Sequence, residues 1–253
     1  MRVTVVVPTY NEAGNIATLI TAVRQVLPQA GILVVDDGSP DGTADLVDDL
    51  AAQLDVDRPL GAGRIVVARR ERKDGLGAAY RFGLRKAIAD GAEICVQMDA
   101  DLSHDPASLP ALVSIAELGA DLAMGSRYVP GGITLNWPSR RRWVSRWGNR
   151  YAAGVLGLAV NDVTAGYRAY RSTALEQMQF ETVKAEGYGF QIEMTYRLVR
   201  INGRVVEFPI TFRDRMEGES KFSGSIIREA FGLVLRLWVA DFSGRRRRRA
   251  LGG

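Results

Sequence analysis

Short apolar runs rich in β-branched residues recur along the first half of the chain, and a stretch of helical character follows each of them. The runs cover residues 3–7, 32–35, 64–69, 93–98 and 121–127. Strands that are buried on both faces have continuous apolar runs, and strands that alternate with helices form a parallel sheet through right-handed crossovers. The pattern therefore predicts an α/β fold with a doubly wound, mostly parallel sheet and helices on both faces.

Composition narrows the class of protein further. With 253 residues and 47% apolar content, the chain can form one large domain with a buried core and a C-terminal appendage. The single cysteine, Cys95, cannot form an internal disulfide, so we expect a reducing compartment. We also expect no secretory signal and no membrane-spanning segment. A net charge of +4, with arginines concentrated late in the chain, indicates an anionic partner.

Two carboxylates follow the fourth apolar run. Asp99 and Asp101 are two residues apart, so in extended backbone both side chains point to the same side, and the small Ala100 leaves room for a ligand. Such a pair suits Mg²⁺ or Mn²⁺, which bind few protein carboxylates and take substrate phosphates as further ligands. Alternatively, Asp99 caps the helix that starts near Asp105, and Asp101 is a solvated turn residue.

Polar residues also follow the first two runs. A dinucleotide-binding fold would have a glycine-rich turn after the first strand, but this chain has Pro8-Thr-Tyr-Asn-Glu12. Tyr10 and Glu12 could offer a ring and an acceptor to a base or ribose; alternatively, the stretch is a turn and helix cap. Asp36, at the end of the second run, faces the same crevice and could accept from a ribose or a base. Gly75 and Gly77 could expose backbone N–H groups to phosphate, but they do not form a P-loop.

Tryptophans and arginines alternate in the second half of the chain. Trp137, Trp143 and Trp147 are interleaved with arginines, a composition that suits a bilayer interface and, as a competing use, RNA binding. Further on, the run at 204–212 is predicted to be an edge strand, because Pro209 interrupts it and an edge tolerates proline.

Six ordered motifs together resemble the polyprenyl-phosphate (dolichyl-phosphate) mannosyltransferases, which are inverting family-two glycosyltransferases with a GT-A fold. The motifs are Pro8-Thr-Tyr-Asn-Glu12, Asp36-Asp-Gly-Ser-Pro-Asp-Gly-Thr43, Gly75-Leu-Gly77, Asp99-Ala-Asp-Leu-Ser-His104, Gly125-Ser-Arg127 and Asp214-Arg-Met-Glu-Gly-Glu-Ser-Lys221. The resemblance extends to about residue 237. The Gln-x-x-Arg-Trp signature of processive relatives does not occur, which favours a single sugar transfer.

The resemblance implies a role for each matching residue. A GDP-mannose site would be lined by Pro8, Tyr10, Glu12, Val34 and Asp36. Asp99, Ala100 and Asp101 would hold metal and diphosphate, and Arg127, Arg215 and Lys221 would meet the phosphates. Asp101, Arg127, Arg215 and Lys221 would form the catalytic set. Ser103 would be a further metal ligand, but some members of the family have Gln at this position.

The implied reaction is metal-dependent, inverting transfer of mannose from GDP-mannose to a polyprenyl phosphate. A lipid phosphate is already ionised at neutral pH, so it needs no general base. Attack opposite the leaving group gives the β-linked product. Alternatives are hexose transfer from a UDP sugar such as UDP-glucose, a non-catalytic nucleotide-sugar-binding protein and an arginine-rich nucleic-acid binder. The acidic residues disfavour the last of these, so we expect no nucleic-acid partner.

The C-terminal part is predicted to lie on a membrane surface. Apolar residues spaced three and four apart form one helical stripe: Ile227, Phe231, Val234, Leu235, Trp238 and Phe242. Five arginines at 245–249 would add attraction to anionic lipid. We therefore expect a glycosyltransferase domain at 1–222, an amphipathic helix with a basic tail at 223–253, and a peripheral position at the cytoplasmic face. Alternatively, the stripe packs on the sheet, or a membrane protein binds it as an anchor.

Overall fold

The computed structural model describes residues 1–56, 58, 63–214 and 231–240 of the chain. In this part of the chain, seven strands form the main sheet in the order β3-β2-β1-β4-β7-β5-β8. They are β1 (Val3–Thr9), β2 (Gly31–Asp36), β3 (Ile65–Arg69), β4 (Ile94–Gln97), β5 (Leu122–Ser126), β7 (Arg168–Arg171) and β8 (Val205–Pro209). Two short strands, β6 (Ile133–Leu135) and β9 (Thr211–Arg213), form a separate small sheet.

Helices connect most of the strands. They are α1 (Ala13–Val26), α2 (Thr43–Leu54), α3 (Leu76–Ala89), α4 (Leu109–Glu117), α5 (Ser139–Leu156), α6 (Ser172–Gln177) and α7 (Gly187–Arg200). Neighbouring strands β1 to β4 pair in parallel, as do β5 and β8. Only β7 runs antiparallel to its two neighbours in the described sheet. The doubly wound, mostly parallel sheet predicted from the sequence is therefore confirmed.

Both faces of the sheet are buried. In the central strand β1, Val5 and Val7 point to a core formed with α1, α2 and α4, whereas Val6 points to a core formed with α3, α5, α6 and α7. All three valines are fully buried. A strand of this kind has no polar face, so its sequence is apolar at successive positions.

The run at 204–212 forms an edge strand, as predicted, but it is divided into two strands. β8 pairs only with β5 in the described sheet, and Pro209 lies opposite Ser126 at its last position. After Ile210 the chain joins the small sheet as β9, which pairs with β6. The division brings Phe212 beside His104, with which it forms an isolated bridge.

The tryptophan-rich stretch divides between the surface and the interior. Trp143 and Trp147 lie on α5 and are 68% and 47% exposed. Trp137, which we had grouped with them, is only 7% exposed and packs edge-on against Phe212. Trp137 therefore cannot enter a bilayer interface, and that part of the prediction is wrong.

Residues 231–240 are helical and pack on the rest of the molecule along one side. The ring of Phe231 lies 4.5 Å from that of Tyr151, centroid to centroid, and Val234 is part of the core formed with α5 and α7. Leu235 and Trp238 are about half exposed. The predicted stripe members Ile227 and Phe242 lie outside the described residues. The proposed boundary at residue 222 also falls outside them and stays a prediction.

No helix within residues 1–56, 58, 63–214 and 231–240 has the length and apolar character needed to cross a bilayer.

Candidate active site

A cavity of about 530 Å³ opens at the carboxyl ends of β1, β4 and β5, where a doubly wound sheet usually binds its ligand. Eight of the residues selected from the sequence line it: Pro8, Tyr10, Glu12, Asp99, Ala100, Asp101, Ser103 and Arg127. Arg215 and Lys221 lie outside the described residues. Val34 and Asp36 do not line the cavity, since Val34 is fully buried in the core and Asp36 is buried beneath the surface of the cavity.

The loop after β4 holds the two carboxylates of the Asp pair. The backbone N–H of Met98 donates to the carbonyl of Val6, which keeps the chain on the sheet up to Asp99. The N–H of Asp99 then donates to Nδ1 of His104 at 3.2 Å, and the N–H of Ser103 donates to Oδ1 of Asp101 at 3.1 Å. These bonds close the loop into a compact turn in which both carboxylates line the cavity.

His104, the only histidine in the sequence, supports this turn. It is buried, and its ring stacks on Tyr167 with the ring centroids 4.8 Å apart. Because Nδ1 accepts from the Asp99 N–H, a proton on Nδ1 would break that bond. His104 thus has a structural role beneath the Asp pair.

The oxygen atoms in this turn fit a small divalent cation. Asp99 and Asp101 each bring a carboxylate, and the hydroxyl oxygen of Ser103 is buried without a hydrogen-bond partner in the described part of the chain. That part of the chain holds no cluster of three or more His, Cys, Asp or Glu side chains that could bind a metal. The site therefore suits Mg²⁺ or Mn²⁺, whose remaining ligands come from substrate phosphates, better than Zn²⁺.

Tyr80, which we did not select from the sequence, holds Asp99 in place. Its hydroxyl donates to Oδ1 of Asp99 at 2.7 Å, and its ring stacks on Phe190 with the centroids 6.1 Å apart. Burial, and next the charge of Asp99, raise the pKa of Tyr80 well above its ordinary value. The hydroxyl therefore stays protonated and keeps donating to Asp99.

Replacing Tyr80 with Phe is expected to weaken Mn²⁺ binding, measured by the loss of the free Mn²⁺ electron paramagnetic resonance signal. Outer ligands of this kind commonly contribute roughly 10- to 100-fold to metal affinity. Tyr167→Phe is the matched control, because Tyr167 is equally buried but its hydroxyl donates to the Asp105 carbonyl. Equal Mn²⁺ affinities in wild type and Y80F would contradict the assigned role.

Arg127 is held by a buried ion pair with Asp162. Nε and Nη2 of Arg127 donate to the two carboxylate oxygens at 2.7 and 2.6 Å, and the Arg127 backbone N–H donates to Oδ2 at 2.9 Å. Burial is the largest single influence and would lower the pKa of Arg127. The charge of Asp162 and the hydrogen bonds to it, with smaller contributions from Tyr128 and Tyr188, together outweigh burial and raise the pKa above its ordinary value. The guanidinium is therefore a fixed cation in the wall of the cavity, and its charge is partly balanced by Asp162.

At the end of the cavity nearest β1 and β2, a lysine lies over an aromatic ring. The Lys73 ammonium lies 3.8 Å from the centroid of the Tyr10 ring, and both residues line the cavity. Asp37 lines the cavity in place of its neighbour Asp36. Asp36 instead accepts from the Thr9 hydroxyl at 2.9 Å, so it supports the turn after β1 from below.

Gly77 has a different role from the phosphate contact considered above. The backbone N–H of Gly77 donates to Oε2 of Glu186 at 2.7 Å, so Glu186 caps α3 and leaves this N–H unavailable to phosphate. A Cβ on Gly77 would lie 2.7 Å from the Ala185 carbonyl oxygen, too close for any other residue. Sequence reasoning missed Glu186, although the absence of side chains at positions 75 and 77 signalled a close approach.

A doubly wound sheet with an Asp pair and a fixed arginine around a cavity at its carboxyl edge is the arrangement of a glycosyltransferase. The family model for glycosyl transferase family 2 matches residues 4–179, and the chain belongs to that family.

Two curated relatives match most of the chain. Polyprenol monophosphomannose synthase of Mycolicibacterium smegmatis is 48% identical over 229 residues, which cover 90% of this chain and 84% of the relative. Undecaprenyl-phosphate mannosyltransferase of Micrococcus luteus is 44% identical over 240 residues, which cover 95% of each protein. These similarities confirm the resemblance inferred from the six motifs.

Solved structures of glucosyl-3-phosphoglycerate synthase from Mycobacterium tuberculosis have a similar fold. The complex with Mn²⁺, uridine-diphosphate and phosphoglyceric acid has a TM-score of 0.67 at 19% identity, covering 94% of this chain and 78% of that chain. The complex with Mn²⁺ and uridine-diphosphate-glucose has a TM-score of 0.65 at 19% identity, covering 93% of this chain and 78% of that chain. At this identity the similarity shows the fold, and it confirms the expected GT-A type.

Proposed function

We propose that the protein transfers mannose from GDP-mannose to a polyprenyl phosphate in a metal-dependent, inverting reaction. The observation that carries the proposal is the placement of Asp99, Asp101 and Arg127 around one cavity. The chain that forms this cavity is 44% identical, over 95% of its length, to an undecaprenyl-phosphate mannosyltransferase.

The leaving group defines what the site must stabilise. Asp99, Asp101 and the Ser103 hydroxyl would hold Mg²⁺ or Mn²⁺, which neutralises the charge that develops on the GDP diphosphate. The Mn²⁺ in the solved complexes of the structurally similar synthase supports a divalent cation. Arg127, with Arg215 and Lys221 from the part of the chain outside the described residues, would supply further positive charge to the phosphates. Pro8, Tyr10 and Glu12 would line the nucleoside end.

The acceptor needs no activation by a base. A polyprenyl phosphate is ionised at neutral pH, so one of its oxygens can attack the anomeric carbon directly. The new C–O bond forms as the bond from that carbon to the GDP oxygen breaks, and GDP leaves as an anion. Attack from the opposite face gives a β-linked mannosyl phosphate. His104 is not needed for proton transfer in this reaction, in agreement with its role beneath the Asp pair.

A donor panel tests the proposal. The purified chain is incubated with a short polyprenyl phosphate and either labelled GDP-mannose or labelled UDP-glucose, with Mn²⁺, with Mg²⁺ or with excess EDTA. We expect lipid-linked label from GDP-mannose only, and none in EDTA. Label from UDP-glucose alone would identify a glucosyltransferase. Nucleotide-sugar binding without any transfer would identify a non-catalytic binding protein, and either result would overturn the proposal.

We further propose that the protein works at the cytoplasmic face of a membrane. The exposed aromatic side chains of Trp143, Trp147 and Trp238 suit the headgroup region, and arginines on α5 and at 245–249 suit lipid phosphate. The helical segment 231–240 would lie in the interface, with the exposed Leu235 facing lipid. A membrane protein bound to the same segment would be an alternative anchor.

Removing residues 242–253 is expected to weaken binding to anionic liposomes and to lower activity on a long-chain polyprenyl phosphate. Five arginines leave with this segment, and each contributes about 1 kcal/mol near an anionic surface. The KM for GDP-mannose should stay within about twofold, because the segment is proposed to bind lipid and not the nucleotide sugar. If the shortened protein keeps salt-sensitive liposome binding, Trp143→Ser and Trp147→Ser test α5 as the anchor instead.

A further inference from the structure

The amide of Gln191 is buried at the wall of the cavity and is incompletely bonded. Gln191 lies near the start of α7, is 3% exposed and lines the cavity. Its Oε1 is buried and has no hydrogen-bond partner in the described part of the chain. Leaving a buried amide oxygen unbonded is unfavourable, and at a cavity wall a bound ligand can supply the missing donor.

The backbone at Gln191 is held by two hydrogen bonds from side chains. The Gln191 carbonyl oxygen accepts from Nη1 of Arg168 at 3.1 Å and from the Thr195 hydroxyl at 3.0 Å. Arg168 is fully buried and also donates to the carbonyl oxygens of Ala165 and Val163. Arg168 therefore ties the start of α7 to the loop that precedes β7.

That loop connects the start of α7 with the Asp pair. A Cβ built on Gly166 would lie 3.4 Å from Oδ2 of Asp99, so the loop borders the Asp99 carboxylate directly. On α7 itself, Phe190 stacks on Tyr80, whose hydroxyl binds Asp99. Gln191 directly follows Phe190 and lines the same cavity as the carboxylates proposed to hold the diphosphate. The sugar attached to that diphosphate is expected in this cavity.

The unbonded oxygen of Gln191 needs a hydrogen-bond donor as its partner. An ionised phosphate only accepts hydrogen bonds, so it cannot satisfy an amide oxygen, whereas a hydroxyl both donates and accepts. We infer that Gln191 is a specificity residue that binds a hydroxyl group of the transferred hexose. The inference deepens the proposed function and rests on it.

The chain contains a matched control. Gln97 on β4 is fully buried, and both atoms of its amide have no partner in the described part of the chain. Gln97 does not line the cavity. If the buried amides affect only packing, replacing Gln97 and replacing Gln191 should give the same result. If the amide binds a ligand, only the replacement of Gln191 should change substrate recognition.

The test compares GDP-mannose with its monodeoxy analogues, each of which lacks one hydroxyl of the mannose ring. Wild type, Gln191→Met, Gln191→Leu and Gln97→Met are assayed for kcat/KM with a short polyprenyl phosphate, after urea unfolding has shown which variants are folded. For at least one analogue, the kcat/KM of wild type should be roughly tenfold or more below its value for GDP-mannose, since a site that binds a hydroxyl rejects a substrate without it. In the Gln191 variants, kcat/KM for the same analogue should be less than about threefold below that for GDP-mannose. In Q97M the decrease should be as large as in wild type.

The possible outcomes separate the inference from the proposed function. Equal decreases in kcat/KM with the deoxy analogues in wild type and both Gln191 variants would overturn the inference but not the proposed mannosyl transfer. If the decrease in kcat/KM with the deoxy analogue is as small in Q97M as in Q191M, the inference is also overturned, because packing would then explain the effect. Absence of transfer from GDP-mannose by wild type would overturn the proposed function, and the inference with it.

Discussion

Replacing Asp101 or Asp99 with Asn is expected to lower kcat/KM for mannosyl transfer by roughly 10²- to 10³-fold. Each change removes the negative charge of one of the two carboxylates proposed to hold the metal, both of which line the cavity. Losing one preorganised electrostatic contact of this kind costs about 3–4 kcal/mol of transition-state stabilisation. The measurement is initial-rate kinetics with a short polyprenyl phosphate over a range of Mn²⁺ concentrations.

The neighbouring Asp105 provides the control for this experiment. Its carboxylate accepts from the Ala107 N–H at 2.9 Å and does not line the cavity, and asparagine caps a helix nearly as well. We therefore expect Asp105→Asn to change kcat/KM by less than about threefold. Wild-type rates in D99N or D101N, with Mn²⁺ still required, would show that these carboxylates do not hold the metal.

Replacing Asp162 with Asn is expected to lower the free energy of unfolding by about 3–5 kcal/mol. Asp162 is fully buried and Arg127 nearly so, and removing one partner of a buried pair leaves the other charge uncompensated. Urea unfolding followed by circular dichroism gives the free energy directly. Because the same pair holds Arg127 in the cavity wall, the folded fraction of the variant should also transfer mannose more slowly.

An exposed ion pair of similar length provides the comparison. Arg69 donates to Asp48 at 2.7 Å, and about half of each side chain is exposed. Exposed pairs contribute about 0–1 kcal/mol, so Asp48→Asn should be nearly neutral. If the free energy of unfolding of D162N falls by less than about 1 kcal/mol, water or another group must balance the charge of Arg127.

The part of the fold that could be predicted from sequence is the part with local periodicity. Strands β1 to β5 are apolar runs, and acidic or basic residues follow most of them, so both the sheet and the edge that binds ligand could be predicted. β7 was missed because Arg168–Arg171 is short and has two arginines among its four residues. The strand is buried nonetheless, because the Arg168 guanidinium is satisfied by carbonyl oxygens.

The sequence could predict only those site residues that occur together in one motif. Asp99 and Asp101 occur in one short loop, and both line the cavity as expected. Tyr80, Asp162 and Glu186 act through partners 19, 35 and 109 positions away, and spacing along the chain cannot show such pairs. Val34 was assigned to the nucleotide site by resemblance, but no sequence pattern separates a strand residue in the core from one that lines the crevice.

The structure of the lipid product tests the central claim most directly. The product made by the purified chain from GDP-mannose and a short polyprenyl phosphate is isolated, and its mass and anomeric configuration are determined by mass spectrometry and nuclear magnetic resonance. Attack by the lipid phosphate on the anomeric carbon is expected to add a single hexose in β-configuration, with release of GDP. An α-linked product, or addition of a hexose phosphate with release of GMP, would contradict the account.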